Sequence, residues 1–259
     1  MSEMITVGDA IARTLEQYHV EAMYGVISIH NLPIADAVGQ REKIRFVPAR
    51  GEAGSVTMAD AHGRFSGLGV ALTSTGAGAG NAVGALVEAM NAGTPLLHLT
   101  GQVEKAWLDA DTGFIHETRD QLTFLKASSK RAYRISSANQ AVALLHKAIQ
   151  EAQTPPCGPV SVEIPIDIQS AKIPLSLLTA PLKRAPAVAP ESSMVDTLWA
   201  QLKQAKRPLL WLGGGALESS EAGEAPADAG VTGVFRTPRR GNLPGGPPAR
   251  HFGQCAHNQ

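Results

Sequence analysis

A carboxylate at a predicted strand–helix junction is the first candidate for chemistry. Glu52 follows the apolar run 44–49 and begins the segment 51–65, whose small and apolar residues predict a helix. In the first turn of a helix a carboxylate interacts favourably with the macrodipole, by roughly 0.3–1 kcal/mol, and the residues alone favour this structural role. The alternative is a ligand-binding role, because open α/β sheets bind ligands at the carboxyl ends of their strands.

A glycine-rich turn between a predicted strand and a predicted helix is the second candidate. In the segment TSTGAGAGNAVG, Gly76, Gly78 and Gly80 could bring backbone N–H groups and a helix N-terminus against an anion or a ring. As a dinucleotide fingerprint the spacing is weak, because Gly78, Gly80 and Gly84 give G-x-G-x-x-x-G in the third strand–helix unit. Spacing alone favours a tight turn that requires small residues.

The histidines and cysteines form no pattern typical of a metal or nucleophile site. The eight histidines lack metal-ligand spacing, and His116, in GFIHETRD, is the one best placed to face a cleft. A lone loop histidine is more often a hydrogen-bonded surface residue. Cys157 and Cys255 are too few for a disulfide framework or a zinc cluster, and Cys157 is most simply a packed thiol. No nucleophile elbow, P-loop or HExxH motif occurs.

An alternation of strand and helix patterns must position these residues. Apolar runs separated by helical periodicities predict a doubly wound, mostly parallel six-stranded sheet with helices on both faces, an α/β fold. The predicted strands are 22–27, 44–49, 68–74, 95–101, 130–135 and 159–166. The predicted helices are 6–19, 31–38, 51–65, 81–93, 121–128 and 138–153.

The composition changes after Asp167 and divides the chain. We expect a first domain over 1–168, a Pro-rich linker over 169–190 and an incomplete second α/β domain over 191–259. The second domain begins with a predicted helix and the strand pattern PLLWLGGG, and from Ala216 onward no periodic pattern continues. We interpret that end as truncated or decayed.

Composition and charge exclude several classes of protein. The chain has 259 residues, 23 Lys and Arg against 23 Asp and Glu, and 44% hydrophobic residues, which is typical of a globular protein. A balanced charge without a basic block argues against nucleic-acid partners and acidic membranes. Residues 65–87 carry no charge but are rich in Gly, Ser and Thr, too polar for a membrane span. The N-terminus lacks a signal-peptide pattern, so we expect a cytoplasmic protein.

Taken together, these segments resemble one family. RGEAGSVTMADAHGR, TSTGAGAGN, NAGTPLLHLTGQ and GPVSVEIPID, in this order, are similar to the N-terminal pyrimidine-binding domain of thiamine diphosphate enzymes of the acetolactate synthase type. RPLLWLGGGA resembles the start of that family's central domain, so the resemblance runs from residue 4 to about 216.

The resemblance implies a cofactor, a reaction and a set of site residues. It implies that Glu52 faces N1′ of the aminopyrimidine of thiamine diphosphate, which is used with Mg²⁺, and that Gly76, Gly78 and Asn81 lie beside the ring. It implies a 2-oxo-acid decarboxylase or carboligase, a lyase or transferase, that acts on a 2-oxo acid and forms a homodimer or a dimer of dimers.

Three departures from the family pattern fall on the substrate side of the implied site. The family's F-G-x-P-G turn is here Tyr24 to Ser28, followed by Ile29 and His30. Its F-Q-E is Ile115-His116-Glu117, and the Pro of its G-P-G loop is Ala77. The substrate-side candidates are therefore Ile27, His30 and His116.

A further departure concerns the diphosphate. The family binds it through Mg²⁺ with a G-D-G…N motif in a third domain, and no G-D-G occurs in these 259 residues. We therefore expect the chain alone to bind thiamine diphosphate weakly and to be inactive. Two alternatives stay open: a non-catalytic α/β interaction or regulatory module that retains the fold, and a dinucleotide-binding protein that uses the 76–84 loop.

Overall fold

The structure is a computed structural model that describes residues 3–183 and 188–207, together with the backbone of 209–212 and 232–235. It divides into two compact units, Met1–Ala185 and Pro186–Gln259.

The first unit is a parallel sheet with its connecting helices. Its elements are β1 (Met4–Thr6), α1 (Val7–Gln17), β2 (Ala22–Gly25), α2 (Leu32–Arg41), β3 (Arg45–Pro48), α3 (Glu52–Ser66), β4 (Gly69–Thr73), α4 (Ala77–Ala92), β5 (Leu96–Gln102), α5 (Gln121–Ser128), β6 (Arg131–Arg134), α6 (Ala141–Gln153), β7 (Pro159–Pro165), α7 (Ile166–Ser170) and β8 (Lys172–Pro174). Six strands form one sheet in the order β3-β2-β4-β5-β7-β6, and every adjacent pair is parallel. The predicted fold class is confirmed.

Side chains alternate between the two faces of the sheet and build two cores. Along β4, Val70 and Leu72 pack with α1, α2 and α6, whereas Ala71 packs with α3, α4 and α5. The central strands β5 and β7 are buried at all seven of their positions. Burial on both faces explains why these strands read as continuous apolar runs in the sequence.

The face that α3, α4 and α5 cover also carries a row of buried polar groups. His98 lies 2.9 Å from Thr73 Oγ1 and 2.9 Å from Ser161 Oγ, and Ser129 Oγ lies 2.7 Å from Ser161 Oγ. Complete burial lowers the pKa of His98 to about 3. The imidazole is therefore neutral at physiological pH and serves as a polar bridge between β4, β5 and β7.

The structure differs from the sequence prediction at two places in the first unit. Helix α4 begins at Ala77 rather than at residue 81, because packing outweighs the low helix propensity of Gly78 and Gly80. Strand β8 pairs antiparallel with β1, and Ile173 is fully buried. The segment expected to be linker from residue 169 onward therefore begins as part of the first unit, since β1 and α1 supply partners far away in sequence.

The second unit is described in part. Helix α8 (Ser192–Gln204) and strand β9 (Leu209–Leu212) agree with the predicted start of a second α/β domain. Strand β10 (Thr232–Phe235) pairs parallel with β9, in a region whose sequence shows no strand pattern. The remaining residues of the predicted truncated or decayed segment lie outside the described residues. Among the helices that the structure describes, none is both long and apolar enough to cross a membrane.

The close approach of α3 to β4 generates a stability prediction. A Cβ at Gly69 would overlap the backbone carbonyl oxygen of Ala59, which no side-chain rotation relieves. Gly69→Ala should lower the free energy of unfolding by about 2 kcal/mol or more, measured by urea denaturation. Gly39→Ala is the control, because that exposed site in α2 has open space; it should raise stability by up to about 1 kcal/mol. Equal effects at the two sites would contradict this packing.

Candidate functional site

The carboxyl ends of the parallel strands meet at one edge of the sheet. Because β2, β3, β4 and β5 run in the same direction, the segments that follow them lie along this edge. They are residues 26–31, 49–51, 74–76 and 103–120. Such an edge is the usual ligand site of open α/β sheets, and it brings together segments distant in sequence.

Glu52 is the first residue of α3 and follows the end of β3 after a short loop. It is only 9% exposed, yet within the described part of the chain its carboxylate makes no hydrogen bond or ion pair. A Cβ on Gly78 would lie 2.7 Å from Glu52 Oε1, so the carboxylate rests against the first turn of α4. A carboxylate that is largely buried and has no protein partner is a candidate for binding a polar ligand group.

Gly76 forms the turn between β4 and α4 and can only be glycine. Its φ of 56° is in the left-handed region, and a Cβ there would overlap the carbonyl oxygen of His116. Its N–H donates to Gln121 Oε1 at 2.7 Å. The turn therefore packs against the 103–120 segment on one side and is hydrogen-bonded to α5 on the other.

Gly78 and Asn81 lie on α4 itself rather than in a preceding loop. Gly78 is buried, and its N–H donates to the carbonyl of Thr75 at 3.0 Å. Asn81 is exposed and follows Gly78 by three residues, so the two share a helix face.

The 26–31 segment is held by a side chain that sequence reasoning missed. Asn31 Nδ2 donates to the carbonyls of Val26 and Thr73, each at 2.9 Å, and its Oδ1 accepts from the N–H of Ser28 at 2.8 Å. The sequence does contain one signal for this role, an Asn placed directly before a helix that begins with Leu-Pro. Ile27, in the same segment, is 54% exposed.

Two substrate-side candidates, His30 and His116, come together from different segments. Their ring centroids are 5.7 Å apart with an interplanar angle of 88°. His30 is 3% exposed, and its Nδ1 is buried without a hydrogen-bond partner among the described residues. Burial, and then the nearby His116, lower the pKa of His30. His116 is exposed, with a φ of 61°.

Glu117 orders the segment that carries His116. Its carboxylate accepts backbone N–H groups from Asp111 at 2.7 Å, Thr112 at 3.0 Å and Phe114 at 2.9 Å. These hydrogen bonds, led by the one from Phe114, lower the pKa of Glu117. The Glu of the Ile115-His116-Glu117 run thus acts as the internal brace of this segment.

A buried polar network below Gly76 was also missed. Gln102, Gln121 and Glu163 are at most 2% exposed, and hydrogen bonds join them. Glu163 is the one charged residue in the apolar strand pattern PVSVEIPI. A single charge in an otherwise apolar strand was the sequence signal for a buried polar network. Among the residues described, no group of three His, Cys, Asp or Glu side chains could hold a metal ion.

The comparison with known families agrees with this geometry. Residues 5–124 match the family model of the thiamine pyrophosphate enzymes, in its N-terminal TPP binding domain. This part of the chain belongs to the family of N-terminal TPP binding domains of the thiamine pyrophosphate enzymes. The match runs from β1 into the first half of α5 and includes Glu52, Gly76, Gly78 and both histidines at the sheet edge.

The proteins similar to this chain include a probable decarboxylase and several acetolactate synthases. The chain is 31% identical over 219 residues to a probable 2-ketoarginine decarboxylase of Pseudomonas aeruginosa, covering 84% of this chain and 39% of that protein. It is 28% identical to the acetolactate synthase large subunit of Corynebacterium glutamicum, covering 90% and 37%. It is 29% identical to the acetolactate synthase isozyme 1 large subunit of Escherichia coli, covering 83% and 38%. The chain thus spans less than two fifths of these relatives' lengths.

The edge residues fit the aminopyrimidine part of thiamine diphosphate. The Glu52 carboxylate is an acceptor that the described residues leave unpaired, and an aminopyrimidine offers polar ring edges to such a group. The absence of a Cβ at Gly78 leaves room beside Glu52 Oε1. The Glu52 carboxylate and the bare backbone at Gly78 together form a wall, with one polar group, against which a flat ring can lie.

The brace at Glu117 predicts a pH dependence. Its pKa is lowered in the folded protein, so its ionised form stabilises the segment above the ordinary Glu pKa of 4.5 and this stabilisation is lost as the pH falls toward the lower folded value. The protection of the Asp111, Thr112 and Phe114 amides against hydrogen exchange, relative to the intrinsic rate at each pH, should fall across that window. Glu117→Gln should show this loss of protection already at pH 7; exchange in this variant that matches the wild type would contradict the bracing role.

Proposed function

We propose that this chain supplies the pyrimidine-binding side of the thiamine diphosphate site in an acetolactate synthase-like 2-oxo-acid decarboxylase or carboligase. The main support is Glu52, a buried carboxylate with no protein partner among the described residues, at the ligand-binding edge of the sheet and against Gly78. The similarity to acetolactate synthases and to a probable 2-ketoarginine decarboxylase supports the reaction class.

The proposed chemistry assigns a separate task to each side chain. When bound, thiamine diphosphate supplies an electron sink for breaking or forming the bond next to a 2-oxo-acid carbonyl. Glu52 holds a proton at N1′ of the aminopyrimidine, and the low exposure of its side chain limits the water that competes for that hydrogen bond. Gly76 and Gly78 keep the wall free of side chains, and Asn81 offers an amide on the exposed side of the same helix.

The substrate side is assigned to Ile27, His30 and His116. A nearby carboxylate would raise the pKa of His30, whereas burial and His116 lower it. This wall therefore presents uncharged imidazole and apolar surface, since Ile27 and Ile115 are both more than half exposed. A neutral imidazole can donate an N–H to the carbonyl or carboxylate oxygens of a 2-oxo acid, and His30 Nδ1 has no partner among the described residues.

Three further properties extend this proposal. Mg²⁺ would accompany the diphosphate, whose oxygens are the hard ligands that this ion prefers. A homodimer or dimer of dimers is supported by apolar side chains on the outer surfaces of α3 and α4: Phe65 is 90% exposed, Val87 40% and Met90 42%. A cytoplasmic location stays a prediction from the sequence.

The role of Glu52 can be tested with an isosteric variant. Glu52→Gln should retain thiamine diphosphate binding, but deuterium exchange at C2 of the bound cofactor should slow by about 10²–10⁴-fold, because the proton at N1′ is no longer held by a carboxylate. Proton NMR of the cofactor measures this exchange. Glu88→Gln, at an exposed site on α4, is the matched control and should behave as wild type. Unchanged exchange in Glu52→Gln would remove the assignment, and a wild-type chain without any cofactor binding would remove the proposed function.

The glycine wall gives a second test. The Cβ of Gly78→Ala would lie 2.6 Å from Ser74 Cβ and 2.7 Å from Glu52 Oε1, so the carboxylate must move. We expect the dissociation constant of thiamine diphosphate, measured by titration calorimetry, to rise by at least about tenfold, equivalent to about 1.4 kcal/mol. Gly84→Ala, further along α4 with open space at its Cβ, should bind as wild type. Equal affinities for both variants would contradict a wall at Gly78.

A further inference from the structure

A buried carboxylate on β7 has no part in the chemistry proposed above. Glu163 is fully buried, and Arg134 Nε donates to its Oε1. Its Oε2 accepts from Gln121 Nε2 at 3.0 Å and from Gln102 Nε2 at 3.4 Å. Burial raises the pKa of Glu163, and the Arg134 guanidinium opposes that rise. Both oxygens of this carboxylate thus accept hydrogen bonds from protein groups, in contrast to those of Glu52.

Gln121 connects this carboxylate to the glycine turn. It is the first residue of α5 and fully buried. Its Nε2 donates to Glu163 Oε2 and to the carbonyl of Gly101 at 3.2 Å, while its Oε1 accepts from Thr75 Oγ1 at 2.9 Å and from the Gly76 N–H at 2.7 Å. A side-chain amide has donors at one end and acceptors at the other, so these four partners fix its orientation.

We infer that Gln121 is a positioning residue for the cofactor loop: oriented by Glu163, it fixes the Gly76 N–H and thereby the turn that sets Gly78 against Glu52. The cofactor part of this inference rests on the proposed function. Gly76 precedes α4 without a side-chain cap of its own, and a buried N–H at a helix start needs a partner. Gln121 supplies that partner from another helix, which ties the start of α4 to the sheet.

The same network reaches the segment that carries His116. Arg134, which donates to Glu163, also pairs with Asp109 Oδ2 at 2.8 Å. Asp109 belongs to the 103–120 segment, whose His116 carbonyl covers Gly76. Gly76 is therefore held from two sides, by the Gln121 amide and by a segment anchored on Arg134.

Amide exchange provides a readout that needs no cofactor. In Gln121→Met, which has no donor or acceptor of comparable strength at the amide position, exchange of the Gly76 amide should accelerate by at least about tenfold. The dissociation constant of thiamine diphosphate should rise severalfold. Ser161→Ala is the control, because Ser161 lies two residues before Glu163 on β7 and its hydrogen bonds go to His98 and Ser129 rather than to the loop. In this control, exchange at Gly76 should stay within about twofold of wild type.

A charge rearrangement separates positioning from loss of packing. Gln121→Glu places two carboxylates together and should disturb Gly76 as Gln121→Met does. Adding Glu163→Gln restores a donor toward residue 121, while the new amide oxygen still accepts from Arg134. Part of the Gly76 protection should therefore return, and the rest stays lost because the Gly101 carbonyl no longer receives the donor of Gln121.

Two results would overturn the inference: Gly76 exchange unchanged in Gln121→Met, or accelerated equally in Ser161→Ala. Accelerated Gly76 exchange with an unaltered dissociation constant would overturn its cofactor part. A wild-type chain that does not bind thiamine diphosphate would defeat the proposed function, whereas the exchange result would still decide whether Gln121 positions Gly76.

Discussion

The approach of the His116 carbonyl to Gly76 is the contact on which the rest of the site depends. It requires a residue without a Cβ at the end of β4, in a left-handed conformation, and it brings the 103–120 segment over the start of α4. Once the turn is fixed there, Gly78 lies against Glu52, and the first turns of α3 and α4 form one wall. The histidine pair then follows, because His116 is held by its own backbone next to the segment that carries His30.

Two buried carboxylates at this edge show how structure and function are divided. Glu163 has an arginine and two amides as partners, so its charge is compensated and it stabilises the surrounding loops. Glu52 has no comparable partner among the described residues. A fold tolerates a buried charge when it is paired, and an unpaired one marks a place where a ligand supplies the missing interaction. This contrast supports the role proposed for Glu52 above.

Local patterns predicted the sheet, its helices and the position of Glu52, because apolar runs and helical periodicity are short-range properties. The pairing of β1 with β8 joins three-residue strands about 170 residues apart and has no local signature. Asn31 and Gln121 were missed for a related reason: each gains its role from hydrogen-bond partners on other elements, which the local sequence does not show. The start of α4 was placed too late because glycines weaken a helix pattern that tertiary packing supports.

Backbone groups carry most of the arrangement of this edge. Gly76 and Gly101 each admit a neighbouring carbonyl, from His116 and His30, where any Cβ would overlap it. Because backbone groups rather than long side chains set these positions, little conformational entropy remains to be lost on binding. The same tightness makes the edge intolerant of added side chains, since close-packed backbone cannot relax as a rotamer can. Pre-organisation and sensitivity to substitution at these glycines are therefore two consequences of one packing constraint.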